Sequence, residues 1–274
     1  THHGALNLPA FLPDATRGVV RTLDSSDLEH CKVQALMTNS FHLASKPGIS
    51  VVQALGQLHP FMNWQHPIVS DSGGFQILSL IYESKLGRVT EDGFIYQTAR
   101  ENKKRSLTPE KCIQNQLKLG ADIIYCLDDC THPEMNGSLQ EQSVKHTLQW
   151  ARRCQQEYFK LIQQKELKDP PLLFAVIQGG NNLKLRQQCA EGLLELGFAG
   201  YGFGGWPIGE DGDLVEMVSW VSELVPAEYP KHGLGIGKPH NLVKAFQKGY
   251  SMFDCVIPTR DARHKRLYVF TGEP

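Results

Sequence analysis

The sequence lacks a hydrophobic run long enough to cross a membrane, and it shows no signal-peptide pattern. It also lacks an excess of charge of either sign, because 28 basic and 29 acidic residues leave a net charge of -1. We therefore expect a soluble, cytoplasmic protein with no membrane contact. Binding of nucleic acid through bulk positive charge is excluded, so any such contact must come from a local basic patch.

Cysteine is too scattered for a disulfide framework. The seven cysteines are an odd number and stand mostly inside apolar stretches, which is typical of reduced thiols. The glycine-rich turns match no nucleotide-phosphate-binding motif, and no low-complexity segment or internal repeat is present. No linker divides the chain either, so residues 1–274 are predicted to form a single catalytic domain.

Short apolar runs alternate with longer amphipathic ones along the chain. The predicted strands are 9–12, 34–39, 68–71, 122–128, 172–178, 200–204, 233–237 and 252–257. The predicted helices are 50–58, 109–119, 140–164, 183–196, 214–224 and 240–248. Apolar strands separated by helices indicate parallel strands covered by helices. Eight such units predict an α/β fold, a (β/α)8 TIM barrel, with an open doubly wound sheet as the alternative.

One segment does not belong to a minimal barrel. Residues 88–96 contain two short β-like runs around Asp92 and Gly93, which predict a β-hairpin inserted after the third strand. The following residues form the densest cationic run in the chain. This run is either a solvated loop or a local basic patch, and its cations are Arg100, Lys103, Lys104 and Arg105.

Polar residues stand where the predicted strands end. In a barrel of this kind the carboxyl ends of the strands build the active site. These ends carry Asn39, Asp71 with Ser72, Asp128 with Asp129, Gln178, Gly204 with Gly205, Leu234 and Asp254. They include no pair of histidines at ligand spacing, so carboxylate chemistry is favoured over a metal-dependent hydrolase.

Each of these residues also has a structural explanation. Asp71 could cap a helix or close a turn, and one of Asp128 and Asp129 could be structural while the other is exposed. Asp254 is the hardest to explain in this way, because a buried, unpaired carboxylate costs several kcal/mol, roughly. It is followed by Arg260 and Arg263.

A series of motifs resembles one known family. They are Asp-Ser-Gly-Gly-Phe-Gln at 71–76, Leu-Thr-Pro-Glu-Lys at 107–111, Asp-Asp-Cys-Thr at 128–131, Val-Ile-Gln-Gly-Gly at 176–180, Gly-Phe-Gly-Gly at 202–205, Gly-Ile-Gly-Lys-Pro at 235–239 and Met-Phe-Asp-Cys-Val-Ile-Pro-Thr-Arg at 252–260. In this order, from residue 7 to residue 263, they resemble the tRNA-guanine transglycosylases. Members of that family are (β/α)8 barrels that exchange guanine at the wobble position of a tRNA anticodon for a 7-deazaguanine, on the way to queuosine.

The resemblance implies two catalytic aspartates. Asp254 matches the nucleophile that attacks C1′ of the ribose and holds the RNA as a covalent ester. Asp71 matches the general acid and base that moves the proton of the leaving and incoming base. Arg260 and Arg263 match residues that hold the neighbouring anticodon bases, and Asn39 matches a residue near the ribose.

The resemblance also implies a pocket for the base. Asp128 would accept hydrogen bonds from the N–H edge, and Gln178 with the backbone N–H of Gly205 would bind the exocyclic oxygen. Phe75 and Leu234 would sandwich the ring, although methionine is common at the second position. The remaining base-binding residues of this set are Ser72 and Cys130.

Two departures from the family concern a metal and the pocket. The family holds a structural zinc through Cys-x-Cys-x-x-Cys and a later histidine, so zinc is expected, with ligands beyond Pro274. The stretch Trp206, Pro207, Ile208 replaces a smaller loop beside the base, and Ile208 is expected to narrow the pocket. The incoming base is left open between queuine and its aminomethyl precursor.

The implied partners are a tRNA with guanine at the wobble position (the aspartate, asparagine, histidine and tyrosine tRNAs), free guanine, the 7-deazaguanine base and a second copy of the chain in a homodimer. Two alternatives stay open. One is a non-catalytic tRNA-binding partner subunit of such an enzyme, and the other is a transglycosylase that inserts a deazaguanine into DNA.

Overall fold

The structure is a computed structural model and describes residues 1–98, 104–132 and 134–269. Its strands are β1 (Ala10–Pro13), β2 (Leu36–Asn39), β3 (Ile68–Asp71), β4 (Gly87–Thr90), β5 (Gly93–Tyr96), β6 (Arg105–Leu107), β7 (Ile123–Tyr125), β8 (Leu172–Ile177), β9 (Gly200–Phe203), β10 (Lys231–Leu234) and β11 (Met252–Cys255). Its helices are α1 (Ser25–His30), α2 (Ser40–Ser45), α3 (Ile49–Ala54), α4 (Leu58–Met62), α5 (Gly74–Tyr82), α6 (Pro109–Leu119), α7 (Gly137–Lys165), α8 (Leu183–Leu196), α9 (Glu216–Leu224), α10 (Pro239–Gln247) and α11 (Ile257–Arg263).

Eight parallel strands form a nearly closed barrel, in the order β1, β11, β10, β9, β8, β7, β3, β2. The two ends of this order meet through a parallel bridge between Asp14 and Met37, where the N–H of Ala15 donates to the carbonyl of Met37 at 2.6 Å. The (β/α)8 barrel predicted from the sequence is therefore confirmed, and the open doubly wound sheet is not the fold.

Local sequence signals explain the best-predicted helices. Helix α6 begins at Pro109, and the Thr108 hydroxyl accepts a hydrogen bond from the N–H of Lys111 at 3.3 Å. Helix α8 begins after Asn182, whose side chain accepts from two backbone N–H groups. A capping side chain and a proline in the first turn both favour a helix start. The predicted bounds of these two helices match the structure.

The last barrel strand is shorter than predicted. The prediction ran from 252 to 257, but β11 ends at Cys255 and α11 begins at Ile257, with Pro258 in its first turn. The predicted strand at 122–128 is likewise reduced to Ile123–Tyr125. Helices α1, α2, α4, α5 and α11 were not predicted, and all of them except α5 are seven residues long or shorter.

A three-stranded antiparallel sheet lies between α5 and α6. β4 pairs with β5, and β5 pairs with β6 through partners that include Ile95 and Ser106. The sequence did not predict β6. Of the cationic run, Arg100 and Lys103 lie outside the described residues, Lys104 is exposed, and Arg105 belongs to β6.

A buried apolar cluster fills the inside of the barrel. It includes Leu12, Met37, Val69, Tyr125 and Met252, which come from five different barrel strands. Side chains at alternate positions of barrel strands point inward, so this cluster forms the floor on which the polar strand ends stand. None of the helices in the described parts of the chain has both the length and the apolar content needed to cross a bilayer.

Arg186 ties two strand ends together, and its replacement by methionine is expected to lower the free energy of unfolding by about 3 kcal/mol or more. The buried guanidinium of Arg186 donates to the carbonyls of Gly180 at 2.9 Å, Ile177 at 2.5 Å and Gly204 at 2.8 Å. Burial lowers the pKa of Arg186 to about 10. This value is still well above neutral pH, so the guanidinium remains charged.

Urea denaturation of the unchanged protein and of Arg186→Met would measure this loss of stability. Methionine keeps an unbranched apolar side chain but removes the guanidinium donors to the carbonyls of Gly180 and Gly204, and leaves that of Ile177 with the N–H of Gly204 alone. The matched control is Arg152→Met at an exposed position of α7, for which we expect a change within about 0.5 kcal/mol. Equal stability of Arg186→Met and Arg152→Met would contradict the structural role of Arg186.

Candidate active site

A cavity of about 390 Å³ opens at the carboxyl ends of the barrel strands. It brings together every predicted catalytic and base-binding residue, and Asn39 with them. These residues are Asn39, Asp71, Ser72, Phe75, Asp128, Cys130, Gln178, Gly205, Leu234 and Asp254. The expectation that polar strand ends converge on one face of the barrel is met.

Asp254 stands at the end of β11 and faces this cavity. Its side chain is 17% exposed, so it is not the fully buried carboxylate that the apolar run suggested. Its Oδ1 accepts from the N–H of Gly235 at 3.2 Å. The same oxygen lies 3.0 Å from Nε2 of the fully buried His232, although the angle is poor for a hydrogen bond.

His232 connects Asp254 to a second buried group. The hydroxyl of Tyr125 lies 2.6 Å from Nδ1 of His232. When the tyrosine donates this hydrogen bond, the ring proton is on Nε2, which faces Asp254. Tyr125 thus orients the ring of His232, and Nε2 of that ring lies against the carboxylate of Asp254.

Asp71 stands at the end of β3 and is held by three donors. Nδ2 of Asn39 donates to Oδ2 at 2.5 Å, and the N–H groups of Ser40 and Gly73 donate to Oδ1 at 3.1 Å each. Burial raises the pKa of Asp71 to about 8, because it outweighs the backbone donors, and the charge of Asp254 raises it further. At neutral pH Asp71 therefore carries a proton.

The turn role proposed for Asp71 as an alternative is also present. Its Oδ1 accepts from Gly73, two residues on, which closes the turn before α5. Gly73 itself has a φ of 78°, a conformation that favours glycine. One carboxylate thus shapes the turn and faces the cavity.

Asp128 and Gln178 form a buried pair on the opposite wall. Nε2 of Gln178 donates to Oδ2 of Asp128 at 2.6 Å, and the hydroxyl of Ser72 donates to Oδ1 at 3.3 Å. Burial raises the pKa of Asp128 to about 6, and the hydrogen bond from Gln178 opposes this rise. Among the described residues, Oε1 of Gln178 has no hydrogen-bond partner. A ligand with polar edges would pair with these groups.

Asp129 faces away from the cavity. Its Oδ2 lies 2.8 Å from Nδ1 of His146, and its N–H donates to the hydroxyl of Thr147 at 3.1 Å. The alternative in which one of Asp128 and Asp129 is exposed is wrong, because both are buried. Adjacent strand-end residues point to opposite sides, which gives Asp129 its structural contacts with α7.

Aromatic rings form the outer wall of the cavity. Phe75 is 47% exposed, its ring centroid lies 5.2 Å from that of Trp206, and His132 packs edge-on against Trp206 at 4.9 Å. Leu234 lines the cavity as well. Ile208 was expected to narrow the pocket, but it is absent from the cavity lining and forms a β-bridge with Leu214.

Cys130 is buried in the cavity wall. Burial and the nearby charge of Asp128 raise the pKa of its thiol. It therefore stays protonated at neutral pH and is a poor nucleophile.

The two arginines lie beside the cavity and not in it. They belong to α11, which follows β11 directly, and Val256 between the two elements lines the cavity. Arg260 is exposed, whereas Arg263 is partly buried and its Nη1 has no partner among the described residues. Residues three apart share a helix face, so both cations project from the same side of α11.

Sequence reasoning missed several residues of the site. Asp14 directly follows β1, and the strand-end rule that found Asp254 would also have found it. Thr16 and His42 line the cavity from loops and α2, and Tyr125 and His232 point into the barrel from within strands. No motif in the sequence marks these four.

The expected zinc has no matching ligand set in the described part of the chain. The group of potential ligands found there is His3, His59 and Asp122, which contains no cysteine. Asp122 precedes β7 and so lies at the opposite end of the barrel from the cavity. Its oxygens accept from Ile68 N–H at 2.9 Å and lie 2.9 Å and 3.1 Å from His3 and His59. This cluster is a set of satisfied hydrogen bonds and does not fit a cysteine-histidine zinc site.

Comparison with known proteins gives one consistent result. A family profile described as queuine tRNA-ribosyltransferase matches residues 1–273. The queuine tRNA-ribosyltransferase of Halothermothrix orenii is 37% identical over 273 residues, which is 99% of this chain and 70% of the relative. That of Solidesulfovibrio magneticus is 38% identical over 274 residues, which is 100% of this chain and 71% of the relative.

Proposed function

The chain belongs to the queuine tRNA-ribosyltransferase family and is a pentosyltransferase, and we propose that it exchanges guanine at the wobble position of a tRNA anticodon for a 7-deazaguanine. The observation that carries this proposal is the cavity that combines a well-positioned carboxylate, Asp254, with a protonated one, Asp71. Two carboxyl groups in different protonation states supply a nucleophile and an acid.

In the proposed reaction Asp254 attacks C1′ of the target ribose as the bond from C1′ to the base nitrogen breaks. The leaving guanine keeps the electrons of that bond and takes the proton of Asp71. An ester between Asp254 and C1′ then holds the RNA. The incoming base returns a proton to Asp71, its nitrogen attacks C1′, and the carboxylate of Asp254 leaves. The N–H of Gly235 holds Asp254 in place through both steps.

Base recognition is proposed for the wall opposite Asp71. The pKa of Asp128, about 6, leaves it ionised at neutral pH, so it accepts two N–H groups from a guanine-like edge. The second amide hydrogen of Gln178 and the backbone N–H of Gly205 would donate to the exocyclic oxygen. Phe75 and Leu234, which both line the cavity, are proposed to pack on the two faces of the ring.

We assign the contacts to the neighbouring nucleotides of the RNA to α11. The target base has to leave its stack, at a cost of about a few kcal/mol, before it can enter the cavity. Arg260 and Arg263, beside the cavity, are proposed to hold the neighbouring bases and offset this cost. Three further parts of the proposal rest on the family resemblance alone: a homodimer, specificity for the aspartate, asparagine, histidine and tyrosine tRNAs, and queuine or its aminomethyl precursor as the incoming base.

Trapping of the covalent intermediate tests the proposal. The protein is incubated with a tRNA that carries guanine at the wobble position and is run on a denaturing gel. We expect a slower band that disappears when guanine or the accepted deazaguanine is added. Comparison of queuine with its aminomethyl precursor in this chase identifies the incoming base.

Two results would contradict the proposal. Absence of both adduct and labelled-guanine exchange until a second subunit is supplied would make this chain a binding partner. An adduct with a DNA hairpin of the same sequence, and none with tRNA, would make DNA the substrate. The presence of Asp254, Asp71 and Asp128 in one cavity favours the catalytic function over the partner role.

A further inference from the structure

Asp14 lies on the part of the cavity wall that base recognition leaves free. Around the barrel, the proposed base contacts come from the arc of β7, β8, β9 and β10, and from Ser72 and Phe75 after β3. The other arc, between Asp254 on β11 and Asp71 on β3, consists of β1 and β2. It contributes Asp14, Thr16, Asn39 and His42 to the cavity lining.

The position of Asp14 follows from strand register. Leu12 of β1 pairs with Asp254 of β11 in a parallel ladder. Paired residues and residues two apart point to the same face, so Asp14 projects inward one layer above Leu12. Neighbouring strands lie about 4.8 Å apart, so the carboxylates of Asp14 and Asp254 border the same space.

The carboxylate of Asp14 is half-buried and held in one orientation. The hydroxyl of Thr16 lies 2.6 Å from both of its oxygens. Thr16 also donates its backbone N–H to this carboxylate. A carboxylate has about four acceptor positions, so Asp14, which lines the cavity, keeps acceptor capacity for a ligand. Burial and the charge of Asp254 raise the pKa of Asp14, and the Thr16 hydroxyl opposes that rise.

We propose that Asp14 accepts a hydrogen bond from the 2′-hydroxyl of the target ribose and thereby selects RNA over DNA. This inference rests on the proposed function. Within a nucleic-acid chain the 3′ and 5′ oxygens are esterified to phosphate, so the 2′-hydroxyl is the one free donor of the sugar. C2′ is bonded to C1′, the atom that Asp254 attacks. A second carboxylate beside Asp254 repels phosphates, which leaves the sugar hydroxyl as its partner.

Asp14 is thus a positioning and specificity residue. A site built to bind a hydroxyl group rejects the analogue without it, because its own polar group is then left unpaired. A purely electrostatic role, in which Asp14 only raises the pKa of Asp71, would not depend on the sugar.

The test combines a protein change with a substrate change. Guanine exchange is measured on an anticodon stem-loop RNA and on the same RNA with a single 2′-deoxy sugar at the target. For the unchanged protein we expect kcat/KM to fall by about 10- to 100-fold on the deoxy substrate. For Asp14→Ala we expect a similar loss on the RNA but nearly equal kcat/KM on the two substrates.

Controls separate this inference from the proposed function. Asp213→Ala removes a half-exposed aspartate outside the cavity, paired with Lys244, and should keep full discrimination. Asp14→Asn keeps one acceptor oxygen and should retain part of the discrimination between the RNA and the deoxy substrate. If Asp14→Ala still discriminates by the original factor, or if the unchanged protein uses both substrates equally, the role of Asp14 is wrong while the proposed function stands. Lack of exchange by the unchanged protein on the RNA would refute the proposed function itself.

Discussion

Replacement of Asp254 by asparagine is expected to reduce guanine exchange by about 10⁴-fold or more, with no adduct on a denaturing gel. The amide has nearly the same shape and keeps an oxygen for the N–H of Gly235, so the cavity should stay intact. It lacks the negative charge that attacks C1′ and that stabilises an oxocarbenium-like transition state. Because binding contacts are kept, the Kd for tRNA should change by no more than about 3-fold.

The measurements are labelled-guanine exchange, the adduct gel and tRNA binding by filter retention. Asp213→Asn is the matched control, because it makes the same chemical change at a half-exposed site outside the cavity. It should exchange guanine at the original rate. An Asp254→Asn protein that still forms the adduct would show that another residue is the nucleophile.

The sequence predicted the barrel because its strands are nearly continuous apolar runs. Seven of the eight predicted strands include residues at one or both ends that the structure assigns to loops or helices, and the clearest case is the last. There the run from Met252 to Ile257 is apolar except for Asp254, but a helix with Pro258 in its first turn begins at Ile257 and the strand ends early. Apolar content alone does not mark the point at which a chain leaves the sheet.

The predicted site residues in the cavity could be found from the sequence because they stand at or just after strand ends. Asp71, Asp128 and Gln178 all follow this rule, and the structure places them in one cavity. The rule fails for residues that act from inside strands. Tyr125 and His232 occupy positions that sequence patterns assign to the core, and only the three-dimensional fold places them next to each other.

The protonation states of the site also lie beyond the sequence. Asp71 and Asp128 are chemically identical, but burial raises their pKa values to about 8 and about 6. Gln178 donates to Asp128, whereas Asp71 is also exposed to the charge of Asp254. The difference arises from neighbours that are distant in the chain, and it makes one group an acid and the other an acceptor at neutral pH.

Asp71→Asn is expected to slow adduct formation by about 10²- to 10⁴-fold and to abolish the fall in its rate at alkaline pH. The pKa of about 8 means that Asp71 holds the proton needed by the leaving guanine below that pH and loses it above. For the unchanged protein, the rate constant of adduct formation should therefore fall as pH rises through about 8. Asparagine has no such proton, so the variant should be slow and flat over the same range. Stopped reactions with labelled tRNA across the pH range give both rate profiles.

Stability provides a second test of the same pKa. The pKa of Asp71 is raised from 3.8 to about 8 in the folded protein, so between these values the folded state holds a proton that the unfolded state has lost. Stability therefore falls as pH rises through this window. Asp71→Asn lacks this proton, and its free energy of unfolding should rise relative to the original protein between about pH 4 and about pH 8. Asp213→Asn should show no such relative rise.

The kinetic result decides the role of Asp71 in the reaction. If the rate constant of adduct formation by Asp71→Asn still falls as pH rises through about 8, another group is the acid. The protonated carboxyl of Asp71 then serves only the turn before α5.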